Sequence, residues 1–194
     1  MRAYRLRKKR ATKAAKRCGK QNWGTPHKLF NALHKEFQFQ TDVCAEAENA
    51  KLPIYYDLTT DGLAQEWTGV CWMNPPYGDM NKWMKKAYES AQAGATVVCL
   101  VPVSSDTQWW FNYCSRAAEI RYIVGRLKFI DTGAVIKRTA PANFPSAIIV
   151  FRPHFSGEGK VSYVDTVVIV IWLRNDRTVT IQEMTNGSGR TRLR

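Results

Sequence analysis

Residues 69–103, "GVCWMNPPYGDMNKWMKKAYESAQAGATVVCLVPV", contain a strand, a helix and a second strand in succession, and this unit decides the fold. The apolar segment 69–76 predicts a strand that runs into two prolines. Residues 81–94 predict a helix that ends at Gly94, a natural C-cap residue. The continuous apolar run 95–103 is typical of a strand buried on both faces of a parallel sheet. Together these segments indicate an α/β protein.

Similar elements flank this unit on both sides. In the helix predicted over residues 25–37, Thr25 suits the N-cap and Pro26 the first helical position, and the apolar side chains fall on one face. Further strands are predicted at 39–45, 53–58, 119–130 and 146–153, with a Trp-rich helix at 107–117 and a strand pair within 160–184. The alternation predicts an open, mostly parallel sheet with flanking helices, whose ligands bind beyond the carboxyl ends of the strands.

The charge of the chain is strongly positive and uneven. Its 194 residues fit one domain and carry a formal net charge of +13, and residues 1–20 contain no acidic side chain. We expect a basic arm at 1–20, one folded domain at 21–184 that ends in the strand pair, and a basic tail at 185–194. Clustered cations release counterions from a phosphate backbone, so a nucleic acid is the expected partner. The alternative is a solvated arm that only keeps the protein soluble. The candidate contacts in the arm are Arg5, Arg7, Lys8, Lys9 and Arg10.

Several classes of protein are disfavoured by the same sequence. The apolar run 167–173 is too short to cross a bilayer, and the basic N-terminus lacks the apolar segment of a secretory signal. Five cysteines without a Cys-x-x-Cys pair suggest neither a disulfide framework nor a zinc site. These features predict a protein of the reducing cytoplasm that has no membrane partner.

Polar side chains follow three of the predicted strands, at Asp42, at residues 57–63 and at residues 74–77. An aspartate in such a place is usually a turn or cap residue, although three polar segments at neighbouring strand ends could line one pocket. The tetrapeptide Asn74-Pro75-Pro76-Tyr77 is the most specific of them. The alternative to a functional role is that these four residues form only a rigid turn.

The tetrapeptide has the groups needed to activate an exocyclic amine. The nitrogen of an aromatic amine is a poor nucleophile because its lone pair is delocalised into the ring. The side-chain carbonyl of Asn74 and the main-chain carbonyl of Pro75 can each accept one of its N–H groups. Pro75 and Pro76 have a fixed φ, so the carbonyl between them is held in place. Tyr77 offers a face on which a planar base can stack.

The whole series of motifs resembles the phage and prophage family of DNA N6-adenine methyltransferases. In order along the chain, the matching segments are "WGTPHKLFNAL", "DVCAEAENAKLPIYY", "DGLAQEW", "WMNPPYG", "VCLVPVSSDTQWW", "GRLKFI" and "FPSAIIVF". The resemblance implies a class I methyltransferase-like, Rossmann-like fold. It also implies transfer of a methyl group from S-adenosylmethionine to adenine N6 in duplex DNA, with base flipping, without a metal, in the cytoplasm of a bacterial host.

The resemblance also implies roles for individual residues. At the methionine end of the cofactor, the resemblance implies contacts from Trp23, Thr25 and Pro26, and it implies that Asp42 meets the amino group beside the small residues Cys44 and Ala45. Asp57 would meet the ribose. The adenine ring of the cofactor would be met by Asp61, Gly62 and Leu63. Asn74, Pro75, Pro76 and Tyr77 would be catalytic, and Phe129 would stack on the other face of the flipped base unless it is simply a core phenylalanine.

Two features limit these implied roles. The segment between the first two strands is short for a parallel crossover, which commonly needs a dozen or more residues. There is also no large separate domain for target recognition, so Lys137 and Arg138 in the loop 131–144 are candidate DNA contacts. An RNA or protein-glutamine methyltransferase, and a nucleic-acid-binding protein without enzymatic activity, remain the alternatives.

Overall fold

The computed structural model describes residues 23–131 and 139–165, together with the backbone of residues 170–173 and 179–180. The expected basic arm and basic tail lie outside the described residues, as do Lys137 and Arg138 of the loop.

The described residues form eleven strands and three α-helices, numbered here in chain order. The strands are β1 (Trp23–Gly24), β2 (Thr41–Asp42), β3 (Val70–Met73), β4 (Thr96–Pro102), β5 (Glu119–Val124), β6 (Lys128–Asp131), β7 (Thr139–Pro141), β8 (Ser146–Phe151), β9 (Lys160–Asp165), β10 (Val170–Leu173) and β11 (Val179–Thr180). The helices are α1 (His27–Phe37), α2 (Met80–Gln92) and α3 (Gln108–Asn112), with 3-10 turns at Tyr77–Asp79 and Cys114–Arg116. None of these helices is long and apolar enough to cross a membrane.

Eight strands form the main sheet, in the order β11-β10-β9-β5-β8-β4-β3-β2. Strands β2, β3 and β4 are parallel, and β9 is parallel to β5. Strand β8 lies antiparallel between β4 and β5, and β10 is antiparallel to both β9 and β11. The prediction of a mostly parallel sheet is therefore correct only for part of a mixed α/β sheet. A strand buried on both faces has the same apolar pattern in either direction, so the sequence did not indicate the reversal of β8.

The expected strand over residues 53–58 is reduced to one parallel bridge, between Asp42 and Tyr55. Backbone bonds from the Asp42 N–H to Ile54 O (3.0 Å) and from the Tyr56 N–H to Asp42 O (2.9 Å) hold it beside β2. The connecting residues 46–53 form turns rather than a crossover helix, because the segment is too short to hold one.

The helices differ from their predicted bounds mainly at their ends. Helix α1 begins at His27 with Pro26 at the cap, and Thr25 is buried and makes no capping bond. Helix α2 ends at Gln92. Gly94 follows with a φ of 112°, a backbone conformation that favours glycine, in agreement with its predicted place at the helix end. The Trp-rich segment forms only the short α3 and a 3-10 turn.

The segment 119–130, predicted as one strand, belongs to two sheets. At Gly125, with a φ of 78°, the chain leaves β5 and enters β6. Strand β6 pairs antiparallel with both β1 and β7 in a separate three-stranded sheet. Because β5 points the same way as β4, this small sheet follows the carboxyl-end edge of the main sheet.

Apolar side chains cover both faces of the main sheet. Val97, Cys99 and Val101 of β4 join one cluster with the buried face of α2, and Val98 and Leu100 join another with α1. This alternation confirms that β4 is buried on both faces, as its continuous apolar sequence predicted.

A buried ion network lies on the α1 face. The Arg121 guanidinium, 3% exposed, donates to both carboxylate oxygens of Glu36 at 2.7 and 2.8 Å. It also donates to Glu119, which accepts a further bond from Arg152 at 3.0 Å. Both guanidinium groups lie 5.2 Å from the ring of Phe37. The network thus ties α1 to β5 and to Arg152, the residue that follows β8.

Candidate active site

A small, polar cleft opens where β2 and β3 end. The two strands are parallel neighbours, with Asp42 paired to Trp72, so the residues that follow them emerge side by side. The residues that line the cleft are Gly24, Thr25, Asp42, Cys44, Asn49, Lys51, Trp72 and Asn74. The structure therefore brings together Thr25, Asp42, Cys44 and Asn74, four of the residues singled out from the sequence.

Asp42 is the acidic group of this cleft and is only 2% exposed. Its Oδ2 accepts the Lys51 backbone N–H at 3.1 Å, whereas its Oδ1 has no hydrogen-bond partner among the described residues. Burial raises the pKa of Asp42 to about 6, although the backbone N–H groups of Lys51 and Cys44 partly oppose that effect. A buried carboxylate oxygen without a donor is costly, and a cationic ligand group would remove that cost.

The Asn74 side chain is oriented by β1. Its Nδ2 donates to the main-chain oxygen of Trp23 at 3.3 Å, which makes its Oδ1 the acceptor end of the amide. Trp23 and Gly24 are held in turn by antiparallel pairing with Asp131 and Ile130 of β6. Trp23 is 40% exposed, and the contact to Asn74 is made by its main chain and not by its indole. Pro26 caps α1 next to this strand.

Tyr77 opens the 3-10 turn after the two prolines, where Pro75 is buried and Pro76 has a φ of −64°. Its ring meets the half-buried Phe144 edge-on, at a centroid distance of 5.3 Å. Burial raises the pKa of the Tyr77 phenol, which keeps it neutral. Phe129 lies one ring further away, 6.4 Å from Phe144, and is 4% exposed in the α1-side core.

Residues 61–63, which are predicted to meet the adenine ring of the cofactor, pack beside the end of β2 but do not line the cleft. A Cβ on Gly62 would come within 2.1 Å of the Val43 carbonyl oxygen, so only glycine permits this approach. The Trp67 indole N–H donates to Gly62 O at 2.7 Å and fixes the segment from the other side. Asp61 is exposed with a φ of 54°, and Leu63 packs on the core.

Asp57 closes its own turn. Its Oδ1 accepts the backbone N–H groups of Thr60 at 2.8 Å and Thr59 at 2.9 Å, and the Thr60 hydroxyl at 2.9 Å. These bonds, those from Thr60 foremost, lower the pKa of Asp57. The structural role expected of an aspartate in a turn is therefore present at this position. Ala45, next to Cys44, is buried and donates its N–H to Tyr56 O at 3.0 Å.

The structure adds three residues to which the sequence had assigned no role: Asn49 and Lys51 in the cleft, and Phe144 against Tyr77. All three fall inside segments that carried the resemblance, but nothing in their spacing pointed to the site. Among the described residues there is no group of three or more His, Cys, Asp or Glu side chains that could hold a metal ion.

Comparison with known proteins places the chain among the methyltransferases that act on DNA. Residues 12–170 match the sequence model of the family described as DNA N-6-adenine-methyltransferase (Dam). The chain belongs to this family, as its sequence motifs had indicated, and the family implies S-adenosylmethionine as the methyl donor.

Two curated relatives carry the same description. The DNA N-6-adenine-methyltransferase of Haemophilus phage HP1 (strain HP1c1) is 35% identical over 158 residues, which cover 77% of this chain and 89% of the relative. That of Escherichia phage T1 is 27% identical over 174 residues, which cover 80% of this chain and 73% of the relative. Adenine methylation of DNA is therefore the activity that family and relatives support.

Proposed function

We propose that this protein binds S-adenosylmethionine at the carboxyl ends of β2 and β3 and methylates N6 of an adenine flipped out of duplex DNA. The observation that carries the proposal is the pairing, in one cleft, of two acceptors of different kinds. Asp42 Oδ1 is buried without a donor, and Asn74 Oδ1 is turned to the acceptor role by Trp23. The first suits a cation and the second a neutral amine.

The chain's own residues fit the methionine end of the cofactor. The cofactor would supply a methyl group on a positively charged sulfur: as the amine takes the methyl, the carbon–sulfur bond breaks to leave a neutral thioether, and the amine releases one proton, without a covalent enzyme intermediate. Asp42 would hold the ammonium of its methionine end, with Thr25 and Cys44 lining the same cleft beside Trp23, Pro26 and Ala45. The sheet would then serve as a class I methyltransferase-like frame, which binds its ligand beyond the strand ends.

The remaining cofactor contacts follow the segment that packs on Val43. Asp61, Gly62 and Leu63 would meet the adenine ring of the cofactor, since Gly62 keeps the segment tight against the β2 end. Asp57 would meet the ribose through Oδ2, because its Oδ1 is engaged by Thr59 and Thr60.

The amine of the target adenine would be held by two carbonyl groups. Asn74 Oδ1 and Pro75 O each accept one N–H of N6, which draws the nitrogen towards a tetrahedral shape. Tyr77 would stack on the base, with its ring held edge-on by Phe144, which packs in turn on Phe129. The rate gain comes from positioning and from hydrogen bonds that strengthen as charge develops on the nitrogen.

Duplex DNA would be bound mainly by the basic arm 1–20, with Lys137 and Arg138 adding further contacts. Extruding the adenine costs a few kcal/mol, on the order of one unstacked base. A cytoplasmic location agrees with Cys71, Cys99 and Cys114, which are buried and carry free thiols.

Methyl transfer from labelled S-adenosylmethionine tests the proposal directly. Duplex DNA, RNA and a glutamine-containing protein are offered to the purified enzyme, and only DNA should become labelled on adenine. Asn74→Ala and Tyr77→Ala should each lower the rate by roughly 100-fold or more while the protein stays folded. Asn81→Ala and Tyr163→Ala, at exposed positions, are the matched controls. Labelling of RNA or protein instead of DNA, or normal turnover by Asn74→Ala, would refute the assignment.

A further inference from the structure

The cleft holds a cation beside its buried acid. Lys51 is half-buried and lines the cleft, and its backbone N–H donates to Asp42 Oδ2. Its ammonium is close enough to Asp42 to interact with that carboxylate electrostatically. The short turn after β2, which the Asp42–Tyr55 bridge folds back along the strand, is what brings the two charges together.

Asn49 provides a neutral donor in the same wall. Its Oδ1 accepts the backbone N–H of Glu46 at 2.9 Å, so its Nδ2 is the donor end of the amide. Asn49 is half-buried and lines the cleft with Lys51. One side of the cleft therefore carries N–H donors, and Asp42 presents an acceptor without a donor.

This charge pattern is complementary to an α-amino acid zwitterion. Such a group needs a negatively charged acceptor for its ammonium and positively charged or neutral donors for its carboxylate. An amine alone would be satisfied by Asp42, and Lys51 would then repel it. The presence of both charges in one small cleft therefore favours a ligand end that carries both.

We propose that Lys51, assisted by Asn49, binds the carboxylate at the methionine end of the cofactor, while Asp42 binds the ammonium. This inference rests on the proposed function, because it assigns further residues to the same cofactor. It makes the carboxylate a determinant of specificity: ligands that lack it lose the Lys51 contact and retain that of Asp42.

Binding calorimetry with two ligands tests this assignment without relying on activity. S-adenosylhomocysteine has the carboxylate, and decarboxylated S-adenosylmethionine lacks it but retains an amine. Lys51→Met should weaken binding of the first by roughly 10-fold to 100-fold, as expected for a lost charged hydrogen bond, and of the second by less than about 3-fold. Lys51→Arg should recover part of the loss. Lys82→Met, which removes an exposed lysine of α2, is the matched control.

The outcomes separate the inference from the function on which it rests. An equal loss for both ligands would mean that Lys51 only shapes the cleft, and an unchanged affinity for S-adenosylhomocysteine would exclude the contact; either result overturns the inference. If the unmodified protein binds neither ligand, the proposed function itself is refuted, and the role of Lys51 is refuted with it. Urea unfolding of each variant verifies that Lys51→Met is folded; if it is not, Lys51→Gln, which also removes the charge, takes its place in the same comparison.

Discussion

Replacing Asp42 by asparagine should stabilise the ligand-free protein at neutral pH. Asp42 is buried with one oxygen lacking a donor, and its pKa lies at about 6 against 3.8 for an ordinary aspartate. Burial, the largest cause of that difference, penalises the ionised form. Above pH 6 the native protein therefore carries a charge that the unfolded chain holds at lower cost.

The sign and the size follow from the two pKa values. Because the folded-state pKa is the higher one, the carboxyl favours the native state at low pH, and this advantage is lost as pH rises from about 4 to about 6. A difference of about two pKa units corresponds to about 3 kcal/mol, of which about 2 kcal/mol falls between pH 4.5 and pH 8. The asparagine side chain does not titrate, so its own contribution to the free energy of unfolding is the same at both pH values and cancels when the two are compared.

The assay is urea unfolding of Asp42→Asn and the unmodified protein at pH 4.5 and pH 8. The free energy of unfolding of the variant, relative to the unmodified protein, should rise by about 2 kcal/mol between the two pH values. Asp57→Asn is the control: hydrogen bonds lower the pKa of Asp57 from its ordinary value of 3.8, so it is ionised in both states over this pH range and its relative stability should stay nearly constant. A flat difference for Asp42→Asn would refute the reasoning. The same variant should lose affinity for S-adenosylmethionine, so stability and binding would change in opposite directions.

Two further substitutions test how the site is supported. Trp67→Phe keeps an aromatic ring against Trp83 but leaves the Gly62 carbonyl without its donor, which should cost about 1–3 kcal/mol in urea unfolding and weaken cofactor binding several-fold. Unchanged values for both measurements would show that the bond does not hold the segment. Arg121→Met should lower the free energy of unfolding by about 3 kcal/mol, because it leaves Glu36 and Glu119 without their shared partner. Arg121→Lys should lie between the two, and a loss below about 1 kcal/mol would contradict a stabilising role for the network.

Part of the site could be predicted because parallel neighbouring strands end at the same edge. That rule alone brings Asp42 and Asn74 together, once β2 and β3 are recognised as strands. The positions of Lys51 and Asn49 do not follow from it. They depend on how a short segment turns back along β2 through a single bridge, and turn residues of this kind fit many conformations.

The direction of β8 explains why Phe144 was missed. In the antiparallel pairing, Ser146 at the start of β8 lies opposite Pro102 at the end of β4. Phe144, just before β8, is thereby placed at the edge where Tyr77 lies. A parallel β8 would have put it at the opposite edge of the sheet. Phe129 was a candidate only through the resemblance of the segment "GRLKFI", and its alternative as a core phenylalanine agrees with its burial in the structure.

The contact between Trp23 and Asn74 also anchors a tether. The ten basic residues from Arg2 to Lys20 are covalently joined to a point at the mouth of the cleft. A chain extends by at most about 3.6 Å per residue, so Lys20 lies within roughly 11 Å of Trp23 and Arg2 within roughly 75 Å. Any phosphate that the arm holds stays inside that radius, whatever conformation the arm adopts. If the arm binds DNA as proposed, its length would set the local concentration of adenines at the proposed catalytic pocket, and shortening it would confine the search to fewer base pairs.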